Sequence, residues 1–423
     1  MSWGWPERPR RVVVTGMGLV TALGNDVSAT WDGLVAGRSG VDLVQSFDTS
    51  RLAVRIAAEA RTFDPSSILD RKDVRRTDRY IQFALWCAHQ AHVQAGLPER
   101  LAGELAERTG VIIGSGLGGV HTLFDNVLTM GERGPDRISP FFVPMGISNV
   151  GAGQVAIATG ALGPNFATVS ACATGGHAIG EAWEAIRRGD ADLMFAGGVE
   201  AAIHEATIGG FASMKALSGR NADPAAASRP FDRGRDGFVL GEGGGVLVLE
   251  ALGHAQDRGA TPLAELVGYG ATADASHITL PAPGGAGAVR AARRALDKAG
   301  LTPAEVDHVN AHATSTYEGD RAELAAIRTI FGAHAPAVAV TANKSMLGHT
   351  LGAAGAVEAI VTIQSLRHGV VPPTINLSDP DDDAAGLDLT PARAASRALR
   401  VAVSNSFGFG GQNTALVFRR WDA

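Results

Sequence analysis

Between residues 11 and 419, short apolar, β-prone runs ending in glycine or small-residue turns alternate with Ala-rich helical stretches. Such alternation restricts a chain to a layered α/β architecture. Arg11-Val-Val-Val-Thr-Gly-Met-Gly18 reads as a buried strand closing in a glycine turn, and a short helix is expected over 28–36. Strand 110–114, helix 148–159, strand 167–170, helix 175–188 and strand 193–198 follow, and strands within 236–250 close a first half. A second half opens at Pro262 with a strand-like run, then helix 287–299, strand 308–312, helix 320–331, strand 338–341, helix 352–366 and a hairpin of 399–405 with 414–419. Two halves of similar element order imply an internal duplication, with units over 1–260 and 261–423, although no residue-by-residue repeat is visible. Asp379-Pro-Asp-Asp-Asp383 is a short acidic loop, not a linker.

The composition excludes several function classes. A chain of 423 residues is long enough for two cores, and its 54 glycines fit the many tight turns of an α/β enzyme. The net charge of −6 gives no general attraction to nucleic acid. No apolar run is long enough to span a bilayer, and the polar, Pro-broken residues 1–10 do not read as a secretory signal. Two cysteines make no disulfide framework and fit a reducing, cytoplasmic setting. Cys87, within the helical stretch Tyr80-Ile-Gln-Phe-Ala-Leu-Trp-Cys-Ala-His89, reads as core.

Cys172 is different. In Phe166-Ala-Thr-Val-Ser-Ala-Cys-Ala-Thr-Gly-Gly-His177 an apolar run breaks into small residues and then an Ala-rich helix. That places a thiol at a helix N-terminus, where free N–H groups and the helix dipole favour a thiolate and can hold an oxyanion. The alternative is a buried packing cysteine. His312, Lys344 and His349 each stand in a Gly/Ser/Thr-rich turn after a strand-like run. A structural reading is open for each, since His312 also precedes a helix start near Asp320. Neither histidine has a partner at metal-ligand spacing, which disfavours a metal site. Gly114-Ser-Gly116-Leu-Gly-Gly119 matches a dinucleotide fingerprint, but the acidic residue expected about twenty residues on falls in a Pro-interrupted segment.

Five ordered motifs spanning essentially the whole chain resemble the β-ketoacyl-[acyl carrier protein] synthases, condensing enzymes of the thiolase superfamily. They are Ser170-Ala-Cys-Ala-Thr-Gly175, Ser228-Arg-Pro-Phe-Asp-Arg-Gly-Arg-Asp-Gly-Phe-Val-Leu-Gly-Glu-Gly243, Asn310-Ala-His-Ala-Thr-Ser-Thr316, Asn343-Lys-Ser-Met-Leu-Gly-His349 and Asn405-Ser-Phe-Gly-Phe-Gly-Gly411. The Cys-His-His pattern is that of the elongating synthases. The resemblance implies a five-layered αβαβα fold and a decarboxylative condensation between malonyl carrier protein and an acyl chain held on Cys172. It also implies an acyl carrier protein as partner and no required cofactor. A homodimer is expected, with a ketosynthase-like partner subunit as the alternative.

Residue roles follow from the same resemblance. His312 and His349 are expected as neutral donors to the enolate, with Lys344 holding them alongside Asp320, Glu323 and Glu358. The N–H groups of Cys172 and Phe409 would form the oxyanion hole, and Phe409 would be the gate. Thr279, Thr314 and Thr316 match pantetheine contacts, and Leu117, Phe142 and Phe211 match the acyl pocket. Lys72, Arg75 and Arg76 match the carrier-protein patch, Arg137 and Lys215 extend it, and helical spacing would place several of these on one face. Asn310, Glu358, Ser404 and Asn405 match a structural cation site.

Three positions depart from the family pattern. Asp136 stands where a basic residue is expected, Tyr317 where proline is common, and Gln412 where threonine is usual. Asp136 bears on the carrier contact, while Tyr317 and Gln412 leave open a synthase of polyketide or polyene assembly beside one of fatty-acid elongation. A chain-length-factor-like subunit is opposed by Cys172, a coenzyme A thiolase by Lys344-Ser-Met-Leu-Gly-His349 and the lack of a second catalytic-context cysteine, and an oxidoreductase by its single glycine pattern.

Overall fold

Ten β-prone runs pair into one mixed sheet in the computed structural model, which describes residues 9–390 and 392–422. The strands are β1 Val12–Val20, β2 Thr109–Gly114, β3 Asn165–Phe166, β4 Leu193–Glu200, β5 Gly243–Ala251, β6 Ala264–Ala273, β7 His308–Asn310, β8 Ala339–Thr341, β9 Val401–Gly408 and β10 Gln412–Arg420. Their order is β8-β7-β9-β10-β6-β1-β5-β4-β2-β3. Counted from the first strand of each group of five, β1–β5 and β6–β10 share the order 1-5-4-2-3. They share strand sense too: 1 with 5 and 5 with 4 are antiparallel, while 4 with 2 and 2 with 3 are parallel. The groups join only where Val12–Val14 pairs antiparallel with 264–266.

Each group carries three helices at equivalent places. Arg79–Gln94 and Val150–Thr159 cover the outer face of the first, and Ala286–Ala299 and Tyr317–Phe331 that of the second. Thr174–Arg188 and Ala354–His368 pack on each other between the two and touch strands of both. Five αβαβα layers result, the arrangement expected from the sequence. Every residue from 354 to 366 is buried, including Glu358, Thr362, Gln364 and Ser365, as a helix covered on all sides requires. These two central helices cross through small residues. A Cβ on Gly355 would stand 2.5 Å from the Gly176 nitrogen, and one on Gly175 2.7 Å from that of Ala356. A 3-10 turn precedes each, Ala171–Ala173 and Leu351–Ala353, and begins on a non-glycine residue at positive φ, +49° for Ala171 and +47° for Leu351.

Several local expectations need correction. Residues 167–170 are irregular, and only Asn165–Phe166 pairs as a strand, because Ser170 is drawn into the Cys172 turn by its N–H bond to Thr174 Oγ1 at 2.8 Å. Within 236–250 the strand starts at Gly243. The preceding residues thread between loops through isolated bridges, among them Leu240 with His349. The basic segment 70–79 is not one helix. Arg71–Val74 ends in a turn, where Thr77 Oγ1 bonds the Asp73 carbonyl, and Asp78 caps a new helix at Arg79. No described helix is long and apolar enough to cross a membrane. The N-terminal segment read as lacking a secretory signal lies, apart from its last two residues, outside the described residues.

Candidate active site

Residues from both halves meet at the N-terminal ends of the central helices. The 3-10 turn lifts Cys172 into a cavity of about 480 Å³ that also takes in His312, His349 and Phe409. One ligating atom from each of Cys172, His312 and His349 lies within 4.8 Å of the other two. The imidazole rings are 5.3 Å apart at 85°. Sequence spacing gave no sign of this cluster, because the three residues come from three loops.

Electrostatics assign these groups their states. Burial pushes the Cys172 thiol up to about 11, although Lys344 and the N–H groups of Phe409 and Cys172, which face the sulfur, pull it down. The resting thiolate expected from a helix N-terminus is therefore corrected to a thiol, since desolvation outweighs the dipole. Burial and then Lys344 hold both histidines well below the ordinary imidazole value, with His349 depressing His312 further, so both are neutral. Lys344 Nζ donates to the His312 carbonyl at 2.6 Å and to Glu358, and lies 3.4 Å from His312 Nδ1. An ammonium can only donate, so it selects the tautomer with the proton on Nε2. His312 is thereby set as a hydrogen-bond donor towards the cavity rather than as a metal ligand. His349 is held through its backbone N–H to Val239 O at 2.7 Å, and its buried ring nitrogens have no hydrogen-bond partner among the described residues.

The supporting carboxylates divide the work. Glu323 accepts the N–H groups of His312 at 2.9 Å and Ala313 at 2.7 Å. Asp320 stands apart from Lys344; it accepts from Phe231 N at 2.8 Å and Ser315 N at 3.1 Å and faces Arg235 at 3.6 Å. Burial pushes Asp320 and Glu358 up to about 7, opposed at Glu358 by Lys344. Ala313 and Ser315 have φ of +32° and +70°, strain concentrated beside His312.

Thr279, Thr314 and Thr316 line the cavity with Leu117, Phe211 and Lys215. Phe142 does not. It opens the short helix Phe142–Gly146, packed on Val120–Arg133, and a single chain leaves it off the cavity wall. Phe409 is 6.5 Å from Phe211 between rings, in a loop whose Gly408 backs onto the nucleophile: a Cβ there would meet Ser170 O at 2.6 Å. Gln412 lies on a second, open depression, with Ser170 and His177. Lys72, Arg75, Arg76 and Arg137 are exposed, and none has a carboxylate at ion-pairing distance among the described residues. Arg76 stacks 5.1 Å over Phe141, beside the Arg137 turn.

Asn310 Oδ1, Glu358 Oε2, Ser404 Oγ and Asn405 Oδ1 are buried without hydrogen-bond partners among the described residues. Orphaned oxygens of this kind form a donor set suited to a hard cation, so the residues present fit one.

Glu200 escaped the sequence reading. Fully buried at the end of β4, it accepts from Ser115 Oγ at 2.8 Å and from the N–H groups of Gly116 at 2.8 Å, Leu117 at 3.2 Å and Gly352 at 3.0 Å. The glycine-rich turn that mimics a phosphate cradle thus spends its donors on a carboxylate of its own chain. The available signal was an acid closing an otherwise apolar strand, Leu193-Met-Phe-Ala-Gly-Gly-Val-Glu200.

Comparison with known proteins agrees with this geometry. Residues 9–255 match the family described as beta-ketoacyl synthase, N-terminal domain, and residues 263–378 the corresponding C-terminal domain. The chain is 47% identical over 413 residues to a 3-oxoacyl-[acyl-carrier-protein] synthase 2 of Synechocystis, covering 97% of this chain and 98% of that protein. It is equally similar, 47% over 411 residues, to the protein of that name from Coxiella burnetii, covering 97% and 99%. Among solved structures, a beta-ketoacyl synthase from Burkholderia phymatum superposes with a TM-score of 0.90 at 37% identity, covering 98% of this chain and all of that one. A chain of a type II polyketide acyl-carrier protein in complex with its ketosynthase gives 0.89 at 34% identity, with the same coverage.

Proposed function

The chain belongs to the β-ketoacyl synthase family, and from that premise we propose that it elongates acyl chains by decarboxylative condensation with malonyl-[acyl carrier protein]. The observation that carries the reading is the convergence of one thiol, two neutral imidazoles and two backbone N–H groups in a single cavity.

Cys172 Sγ attacks the thioester of an acyl carrier protein, and the N–H groups of Cys172 and Phe409 hold the tetrahedral oxyanion. The carrier thiol leaves with the proton that Cys172 gives up, which yields a ping-pong acyl-enzyme. Malonyl carrier protein then loses CO2, and the electron pair of the broken C–C bond becomes an enolate. His312 and His349 donate to its oxygen. The enolate carbon attacks the acyl carbonyl, a C–C bond forms, and Cys172 leaves as a thiolate that takes up one proton. Phe409 orders the two half-reactions by moving on its flanking glycines. Asn310, Glu358, Ser404 and Asn405 would hold a structural cation that offsets the Glu358 carboxylate.

The exposed, unpaired Lys72, Arg75 and Arg76, with Arg137 and Lys215, support docking of an acidic carrier protein, while the nearby Asp136 weakens that patch. Division at 260/261 follows the hand-over from β5 to β6, and the chain is assigned to the cytoplasm. Fatty-acid elongation is favoured over polyketide assembly by 47% identity to the 3-oxoacyl synthases against 34% to the polyketide ketosynthase.

The test is the intact mass of the enzyme after incubation with a panel of acyl carrier proteins. A gain of one acyl group on wild type and none on Cys172→Ala is expected, and the preferred chain separates the two pathways. A gain on both proteins would remove Cys172 from its role.

A further inference from the structure

Tyr317 opens the helix Tyr317–Phe331 and lines the mouth of the Cys172 cavity together with Thr314 and Thr316. It is 53% exposed, yet its ring is fixed. The Arg235 guanidinium lies 5.0 Å and that of Arg321 5.2 Å from the ring centre. Both arginines are anchored, Arg235 to Asp381 at 2.9 Å and Arg321 to Asp383 at 2.7 Å. Arg235 also donates to the Tyr317 carbonyl at 3.1 Å. Arg321 Nη1 donates to the Tyr317 hydroxyl at 3.1 Å. Arginine offers no acceptor, so the phenolic proton stays uncommitted, and the adjacent cation strengthens it as a donor.

We propose that the Tyr317 hydroxyl is a positioning donor for the pantetheine arm, bonding one of its oxygens (amide carbonyl, hydroxyl or phosphate) at the mouth of the channel. This rests on the carrier-borne thioester reading above. The group acts on arm binding and not on the reacting atoms, so it moves KM and leaves kcat alone.

Two variants separate the hydroxyl from the ring. Tyr317→Phe keeps the ring between its guanidinium groups and removes only the O–H. Tyr317→Pro removes both, at a first helical position where proline is tolerated. Malonyl-pantetheine, malonyl-phosphopantetheine and malonyl carrier protein are the probes, with decarboxylation followed on wild type and both variants. In Tyr317→Phe a KM raised about three- to ten-fold, with kcat unchanged, is expected. The rise on all three probes assigns an amide or hydroxyl oxygen, and a rise only on phosphorylated probes assigns the phosphate. Wild-type KM in Tyr317→Phe, with a defect confined to Tyr317→Pro, would reduce Tyr317 to a steric wall and overturn the inference, as would a loss confined to kcat. Failure of wild type to turn over any of the probes would instead sink the functional reading.

Discussion

At Cys172, burial raises the thiol while Lys344 and the N–H groups of Phe409 and Cys172 pull it down. The strand-to-helix break around it was readable, but its thiol state depends on burial, which exceeds the pull of the helix N-terminus and Lys344. A thiol pushed up to about 11 gains thiolate about tenfold per pH unit below that value. Iodoacetamide alkylation of Cys172 in the resting enzyme should therefore keep rising from pH 6 to 9, followed by peptide mass. A plateau near pH 7 would mean a thiolate activated at rest. His349, whose ring nitrogens have no partner among the described residues, is free to serve the enolate. His349→Ala should lower malonyl decarboxylation by 10²-fold or more, on the scale of a lost oxyanion donor, while acylation of Cys172 proceeds. Equal loss of both half-reactions, measured by CO2 release and acyl-enzyme mass, would dismiss this division of labour.

At the scale of elements, the site depends on the two central helices approaching closely enough to bring the Cys172 and His349 turns together. Gly175, Gly176 and Gly355 make that approach possible. Gly355→Ala places a methyl 2.5 Å from a backbone nitrogen that cannot move aside without parting the helices. About 1–3 kcal/mol of destabilisation is expected, read as a lower midpoint in thermal or urea unfolding. An unchanged midpoint would mean that the crossing is slack. Helix positions were the most legible part of the sequence: each expected helix is present, with its ends displaced by at most three residues and four of the six ending on the expected residue. The short strands were harder to place. Residues 167–170 have strand-like composition, but the nucleophile turn claims their hydrogen bonds, and 236–242 run as a bridge because Gly237 and Gly243 adopt φ of +141° and +147°.

In the whole molecule one of the two edges of the sheet is β3, and apolar side chains surround it: Ile157 is 64%, Leu162 71%, Phe166 46% and Val169 59% exposed. An unpaired edge with such a rim calls for cover by a second copy. Sedimentation should give a dimer, and Val169→Asp should shift it towards monomer; a monomeric wild type would contradict this. The alternation of strands and helices, the duplicated halves and the five motifs were determined by sequence alone, since periodicity, turn chemistry and residue type are local properties. The meeting of Cys172, His312 and His349, the capture of the glycine turn by Glu200, the thiol state of Cys172 and the Arg235–Tyr317–Arg321 stack were decided only in three dimensions. Each depends on contacts between residues distant in sequence and on desolvation, and no local pattern along the chain encodes either.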